Sequence, residues 1–211
     1  MKLSDRREFF ARLAAIDPAP KTELEYNSPF QLLVAVVLSA QATDKGVNRA
    51  TRPMFRAHPT PRALVELGEE GISEYIQTIG LYRTKAKNVA ALSKLILERH
   101  GGEVPNDREA LEALPGVGRK TANVVLNVVF GESTMAVDTH IFRVANRTGL
   151  GLGKTVNIVE QKLLKSVPKE FRQHAHHWLI LLGRYTCKAR KPDCHRCPVN
   201  DLCSYKAKHA L

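Results

Sequence analysis

The sequence predicts an all-helical protein. Three observations predict it. No stretch alternates apolar and polar residues as a half-buried strand would. Apolar residues recur instead at helical spacings, and Ser, Thr, Asn, Pro and Gly punctuate those runs as helix start and stop signals.

Residues 5–16 form the first helix, with Phe9, Leu13 and Ile16 on one stripe; Asp17-Pro18-Ala19-Pro20 ends it and marks a crossing point between domains. Ser28 and Pro29 supply the N-cap and first position of a second helix, apolar nearly all round through Leu38 and so the expected core helix of its domain. The polar stretch Ser39 to Asp44 interrupts the pattern, and Thr43 caps the next helix. Pro53 falls inside that helix, so a kink or early break is expected near Arg49 to Arg52. Thr60-Pro61 opens a short helix toward Leu67, and another runs from Gly71 to about Thr78. Ile79-Gly80-Leu81-Tyr82 is an apolar turn that either packs inward or presents its tip to a partner. Thr84 starts a long helix with Ala86, Val89, Ala90, Leu92, Ile96 and Leu97 inward, closed by His100-Gly101-Gly102.

The next stretch organises the chain. Asn106 and Glu109 make a capping-box pattern before Leu111 and Leu114, and Pro115 stops that helix. Gly116 and Gly118 permit a tight turn, after which Ala122, Val124, Val125, Val128 and Val129 give a helix from Arg119 to Phe130, ended by Gly131. The result is a helix-hairpin-helix. Backbone N–H groups of Gly116, Val117, Gly118, Arg119 and Lys120, at the positive end of the second helix, can meet a phosphate without reading base sequence. Lys120 in that first turn is a solvated or phosphate-pairing lysine, or a nucleophile whose charged form the helix dipole and Arg119 disfavour. Asp138 precedes another helix carrying Ile141, Val144 and Ala145 on one face. It reads as an N-cap, and a capped carboxylate can also stabilise developing positive charge on a sugar.

Beyond Thr148, the glycine-rich Gly149 to Lys154 lacks the strand and full spacing of a phosphate loop and reads as a linker. Helices at 155–166 and 169–186 follow, the second with Phe171, Ala175, Trp178, Leu179, Leu182 and Tyr185 inward. His174, His176 and His177 point different ways and are not expected to bind metal.

The 32 Lys and Arg against 21 acids give a net charge of +11, which points to a polyanion. The charge is not gathered on one amphipathic helix, so nucleic acid is favoured over a membrane surface. The N-terminus is charged where an export signal needs an apolar core, and the longest apolar run is too short to span a bilayer. Cys187, Cys194, Cys197 and Cys203 are spaced C-x6-C-x2-C-x5-C, suiting a tetrahedral zinc or an iron–sulfur cluster; a single C-x2-C knuckle favours iron–sulfur. Lys188, Arg190 and Lys191 lie between the first two cysteines, where tethering would hold their charges ready for phosphates.

LPGVGRKTA followed by VDTHIFRVANR resembles the helix-hairpin-helix and catalytic-aspartate signature of the endonuclease III family of DNA glycosylases with lyase activity. The resemblance runs from SPFQLLVAVVLSAQATD to the C-terminal cysteines. It implies two helical domains flanking a DNA-binding groove: a six-helix barrel with the hairpin over 22–132, and an iron–sulfur domain made of 1–21 and 133–211. The groove would bring Lys120 and Asp138 face to face. It further implies a [4Fe-4S] cluster on the four cysteines, Gln41 as a wedge where the damaged nucleotide leaves, and Leu81 entering the opposite strand's stack. The implied function is a bifunctional DNA N-glycosylase and AP lyase of base excision repair, acting on oxidised pyrimidines in double-stranded DNA. A cytoplasmic, nucleoid-associated monomer with no membrane partner is expected. The rival readings are an adenine-removing relative, which typically lacks the lysine, and a non-catalytic DNA-binding protein with a zinc or redox cluster.

Overall fold

A computed structural model describes residues 1–209. The described residues contain ten α-helices and no strand. They divide into two compact units, one of residues 22–130 and the other of residues 1–21 with 131–211. No helix among the described residues is long and apolar enough to cross a membrane.

The unit of residues 22–130 holds six helices: α2 (Pro29–Leu38), α3 (Asp44–Ala57), α4 (Pro61–Ile76), α5 (Tyr82–His100), α6 (Arg108–Glu112) and α7 (Arg119–Phe130). Ser28 caps α2, its Oγ accepting the Gln31 N–H at 3.2 Å, with Pro29 at the first position. Every residue of α2 after Pro29 is buried, so α2 is the core around which α3, α5 and α7 pack. Each fully buried Leu or Val there contributes roughly 1.5–3 kcal/mol. Thr43 caps α3 and Thr60 caps α4 in the same way.

Of the kink or early break expected near Arg49 to Arg52, the break is absent: α3 continues to Ala57 with Pro53 inside it. Met54 and Phe55 are buried immediately after it and hold the last turn in place, while Pro53 itself lies exposed, where solvent can satisfy the carbonyl it leaves unpaired. The helical run of α4 is interrupted at Gly68 (φ 72°, ψ 175°), which separates the two short helices expected there. Helix α5 starts two residues earlier than expected, at Tyr82, and closes on Gly101 in the left-handed region.

The other unit contains α1 (Leu3–Ile16), α8 (Thr139–Thr148), α9 (Val156–Ser166) and α10 (Arg172–Leu181). Phe9, Phe10, Val137, Ile141, Val144, Trp178 and Leu179 lie in its core. The rings of Phe10, Phe171 and Trp178 lie 6.0–6.3 Å apart by centroids, and the Trp178 indole N–H donates to the Asp17 carbonyl at 2.8 Å, tying the end of α1 to α10. Ile16, expected on the inward stripe, is exposed.

A π-type turn, Leu182–Thr186, continues α10. Its wider winding advances the register, and Tyr185, expected inward, is consequently exposed while Leu182 is buried. Gly183 within this turn is a close-approach position: a Cβ there would stand 2.8 Å from His140 Cβ on α8. His177 is buried, which pushes its pKa down to about 4; His174 reinforces the shift and Asp17 opposes it.

Candidate functional site

The hairpin of the first unit is built from local rules. Asp107, rather than Asn106, caps α6: its Oδ1 accepts the Ala110 N–H at 2.8 Å, so the expected Asn106–Glu109 box is displaced by one residue. Leu111 and Leu114 are buried beneath the turn.

Gly116 has φ +80°, and a Cβ there would lie 3.0 Å from Asn88 Nδ2 and 3.2 Å from Val37 Cγ1. Only glycine satisfies both the conformation and the space. Gly118 differs: a Cβ there would meet nothing within 4 Å, so its vacancy faces outward.

Val117 departs from the expected phosphate set. It is buried, and its N–H is committed to the Leu114 carbonyl at 3.0 Å, making it the plug that anchors the turn. The Gly118 carbonyl accepts from Ala122 N–H at 3.0 Å and starts α7, on whose first turn Arg119 and Lys120 are exposed. A helix start of this kind is the positive end of the helix dipole.

Among the described residues, three non-glycine residues have positive φ: Gln41 (55°), Leu81 (60°) and Lys191 (49°). All three are exposed, and all three are candidate DNA contacts from the sequence. Left-handed backbone costs a non-glycine residue about 1–2 kcal/mol, a cost that clusters where a side chain must be presented to a partner. In the apolar turn, Ile79 is buried and Leu81 is 61% exposed, so the loop is anchored by one residue and presents the other. Lys85, one turn into α5, is buried with no hydrogen-bond partner for its amine, and burial holds its pKa below the usual lysine range. Sequence reading missed it, although the inward periodicity of Val89 runs through the position four residues earlier.

In the second unit, buried Thr134–Val137 lead into Asp138, which caps α8 by accepting the Ile141 N–H at 2.8 Å. The same helix reaches the cysteine segment. There, Cys197 N–H donates to Cys194 O (3.2 Å), Asn200 N–H to Cys197 O (3.2 Å), and Cys203 N–H to Asn200 O (3.1 Å). Each turn closes over three residues, with Cys197 extended (φ −75°, ψ 123°) between the first and the second, and the segment returns Cys194, Cys197 and Cys203 to one cavity.

All four cysteines are half-buried, none forms a disulfide, and together they line one cavity with Arg147, Leu182 and Tyr205. Burial pushes the Cys197 thiol up to about 11, and the other three cysteines add to the shift, so four thiolates here demand a cationic centre. Four cysteines on one cavity supply the thiolate donor set of an iron–sulfur cluster, and the residues fit one.

In the basic loop, Arg190 and Lys191 are exposed, but Lys188 donates to Asp193 at 2.9 Å, an ion pair that holds the Asp193 carboxyl below its usual range. The Asp193 partner stands only five residues along the chain from Lys188. Arg147 and Arg143 were missed entirely: Arg143 donates to the carbonyls of Cys187 (2.9 Å) and Gly183 (2.8 Å), and Arg147 to those of Lys188 (2.7 Å) and Ala189 (3.0 Å).

Comparison with known proteins bears on both units. Residues 34–169 match the HhH-GPD superfamily of base excision DNA repair proteins, and residues 187–203 match the iron-sulfur binding domain of endonuclease III. The chain is 60% identical to endonuclease III of Haemophilus influenzae over 208 residues, covering 99% of each chain, and 60% identical to that of Escherichia coli (strain K12) over the same length. It is also similar to a solved structure of a trapped endonuclease III–DNA covalent intermediate, with a TM-score of 0.91, 42% identity and all of both chains covered.

Proposed function

Since the chain belongs to the endonuclease III family of helix-hairpin-helix base-excision DNA repair proteins, we propose that Lys120 is the nucleophile, and Asp138 the electrostatic partner, of its DNA glycosylase and AP lyase activity. The observation that carries this reading is the placement of Lys120: exposed on the first turn of α7, directly beyond a glycine corner suited to a phosphate.

The damaged nucleotide leaves the stack, and the neutral Lys120 amine forms a bond to its sugar C1′ as the C1′–N bond to the base breaks. The base leaves with the bonding electrons and takes a proton. Asp138, kept oriented by its cap bond to Ile141, stabilises the positive charge that grows on the sugar. The C1′–O4′ bond then breaks as the amine nitrogen gives up a proton and O4′ takes one, so the sugar ring opens to a C1′ Schiff base that acidifies the C2′ proton. Its removal expels the 3′ phosphate by β-elimination and leaves a cut strand.

Four thiolates, Cys187, Cys194, Cys197 and Cys203, would hold a [4Fe-4S] cluster, which supplies a rigid anchor for the basic loop and takes no part in these bond changes. The substrates are oxidised pyrimidines and abasic sites in double-stranded DNA, met by a monomer at the chromosome in the cytoplasm. Backbone capture by Gly116 and Gly118, with Gln41 and Leu81 entering the duplex and Arg190 and Lys191 on phosphates, accounts for binding that is blind to sequence.

The reading is tested by borohydride trapping on a duplex with an oxidised pyrimidine. The parent traps a covalent adduct, and Lys120→Ala traps none. Asp138→Asn keeps the cap, because an Asn oxygen accepts the same N–H, yet loses roughly 10²–10³ in rate. An adduct with Lys120→Ala at the parental level overturns the assignment.

A further inference from the structure

Arg147 lies in the last turn of α8, the helix that Asp138 caps, and is half-buried. Its guanidinium reaches three acceptors in the cysteine segment: the Lys188 carbonyl at 2.7 Å, the Ala189 carbonyl at 3.0 Å and Cys187 Sγ at 3.6 Å. The Tyr205 ring covers it, 4.7 Å from guanidinium carbon to ring centroid. One turn earlier, Arg143 holds the Cys187 carbonyl at 2.9 Å. Cys187 is therefore gripped at its sulfur by one arginine and at its backbone by another.

Lys188 and Ala189 are exposed, so water could satisfy both carbonyls. The arginine instead fixes two consecutive peptide groups of the basic loop with two separate nitrogens, Nη1 on Lys188 and Nη2 on Ala189, a rigid fork that the one nitrogen of a lysine does not reproduce. The Cys187 thiol stands here for the iron-bound thiolate of the loaded protein. A cationic N–H donor on that sulfur stabilises the more negative, reduced state of a cluster.

From this geometry we infer that Arg147 is a positioning residue linking the cluster to the DNA-binding loop: one guanidinium holds the backbone that carries Arg190 and Lys191, and donates to the Cys187 ligand sulfur. It thereby sets both the loop's phosphate contacts and the cluster's reduction potential. This rests on the iron–sulfur reading of the four cysteines.

The test uses the full, cluster-loaded chain and its Arg147→Met and Arg147→Lys variants. Visible absorbance measures cluster content, titration of an undamaged duplex at several salt concentrations measures loop contacts, and voltammetry measures the midpoint potential. Arg147→Met is expected to bind roughly 5–10-fold more weakly with a shallower salt slope, and its potential to fall. Arg147→Lys restores a charge near the sulfur, so its potential moves back toward the parent, while its affinity stays low because the paired carbonyls remain unheld. Parental affinity and potential in Arg147→Met overturn the inference. So does full recovery of both by lysine, which would mean that charge alone matters. Loss of the cluster from both variants also overturns it, by making Arg147 an assembly residue. A parent without visible absorbance refutes the iron–sulfur reading itself.

Discussion

The two hairpin glycines separate what the turn needs to fold from what it needs to bind. Alanine at Gly116 must adopt φ near +80°, costing about 1–2 kcal/mol. Its methyl would also lie 3.0 Å from Asn88 Nδ2, 3.1 Å from Asn88 Cβ and 3.2 Å from Val37 Cγ1. Val37 sits on the buried face of α2 and has little room to retreat, so overpacking adds about 1–3 kcal/mol. Gly116→Ala should thus lose about 2–5 kcal/mol, a fall of roughly 4–20 °C in melting temperature for a chain of this size. Alanine at Gly118 meets no atom within 4 Å and no left-handed backbone, so stability should hold or rise slightly. Its methyl, however, stands beside the amides at the start of α7, and blocking one phosphate contact should weaken duplex binding roughly tenfold, about 1.4 kcal/mol. Thermal melting and duplex titration on the same two variants read the split. Parental binding by Gly118→Ala, or melting as low as that of Gly116→Ala, would refute phosphate capture at this corner.

Two further outcomes follow from the same structure. Leu81→Gly removes left-handed strain and an exposed apolar side chain, so it should melt within about 1 kcal/mol of the parent while losing most excision activity; an active variant would show that Leu81 does not enter the duplex. His177 has its pKa lowered to about 4 in the fold, so between pH 6.5 and 4 the unfolded chain binds a proton that the folded chain does not, and stability falls with pH across that window. From pH 7 to 5 the loss is about 2 kcal/mol, with His174, His176 and Asp17 as the neighbouring titratable groups. Denaturant titration should show that share of the acid loss disappearing in His177→Leu, and an unchanged pH dependence would contradict the assignment.

The parts of the molecule legible in the sequence are those fixed by neighbours in the chain. Ser28-Pro29, Thr43 and Asp138 all cap helices as their types require, because a cap is a bond to a residue three positions on. The hairpin was equally readable, since Pro115, Gly116 and Gly118 act through their own backbone. What escaped depends on distant packing. Pro53 is carried through α3 by the burial of Met54 and Phe55, Tyr185 is turned outward by a π-type turn, and Lys85 is enclosed by its unit's core. The site follows the same division. The cysteine spacing announced its own chemistry, whereas Arg147 reaches partners about 40 residues away along the chain and leaves no local mark.

The staircase of turns through Cys194, Cys197, Asn200 and Cys203 makes the length of this segment a constraint in its own right. Each turn is closed by a bond from the third residue on, so a single inserted or deleted residue would break one of these bonds and displace every later sulfur. The stretch from Lys188 to Asp193 is under no such rule, being held at its rim by Arg147 and by the Lys188–Asp193 pair. Homologous chains should therefore tolerate changes of length between the first two cysteines and forbid them between the last three.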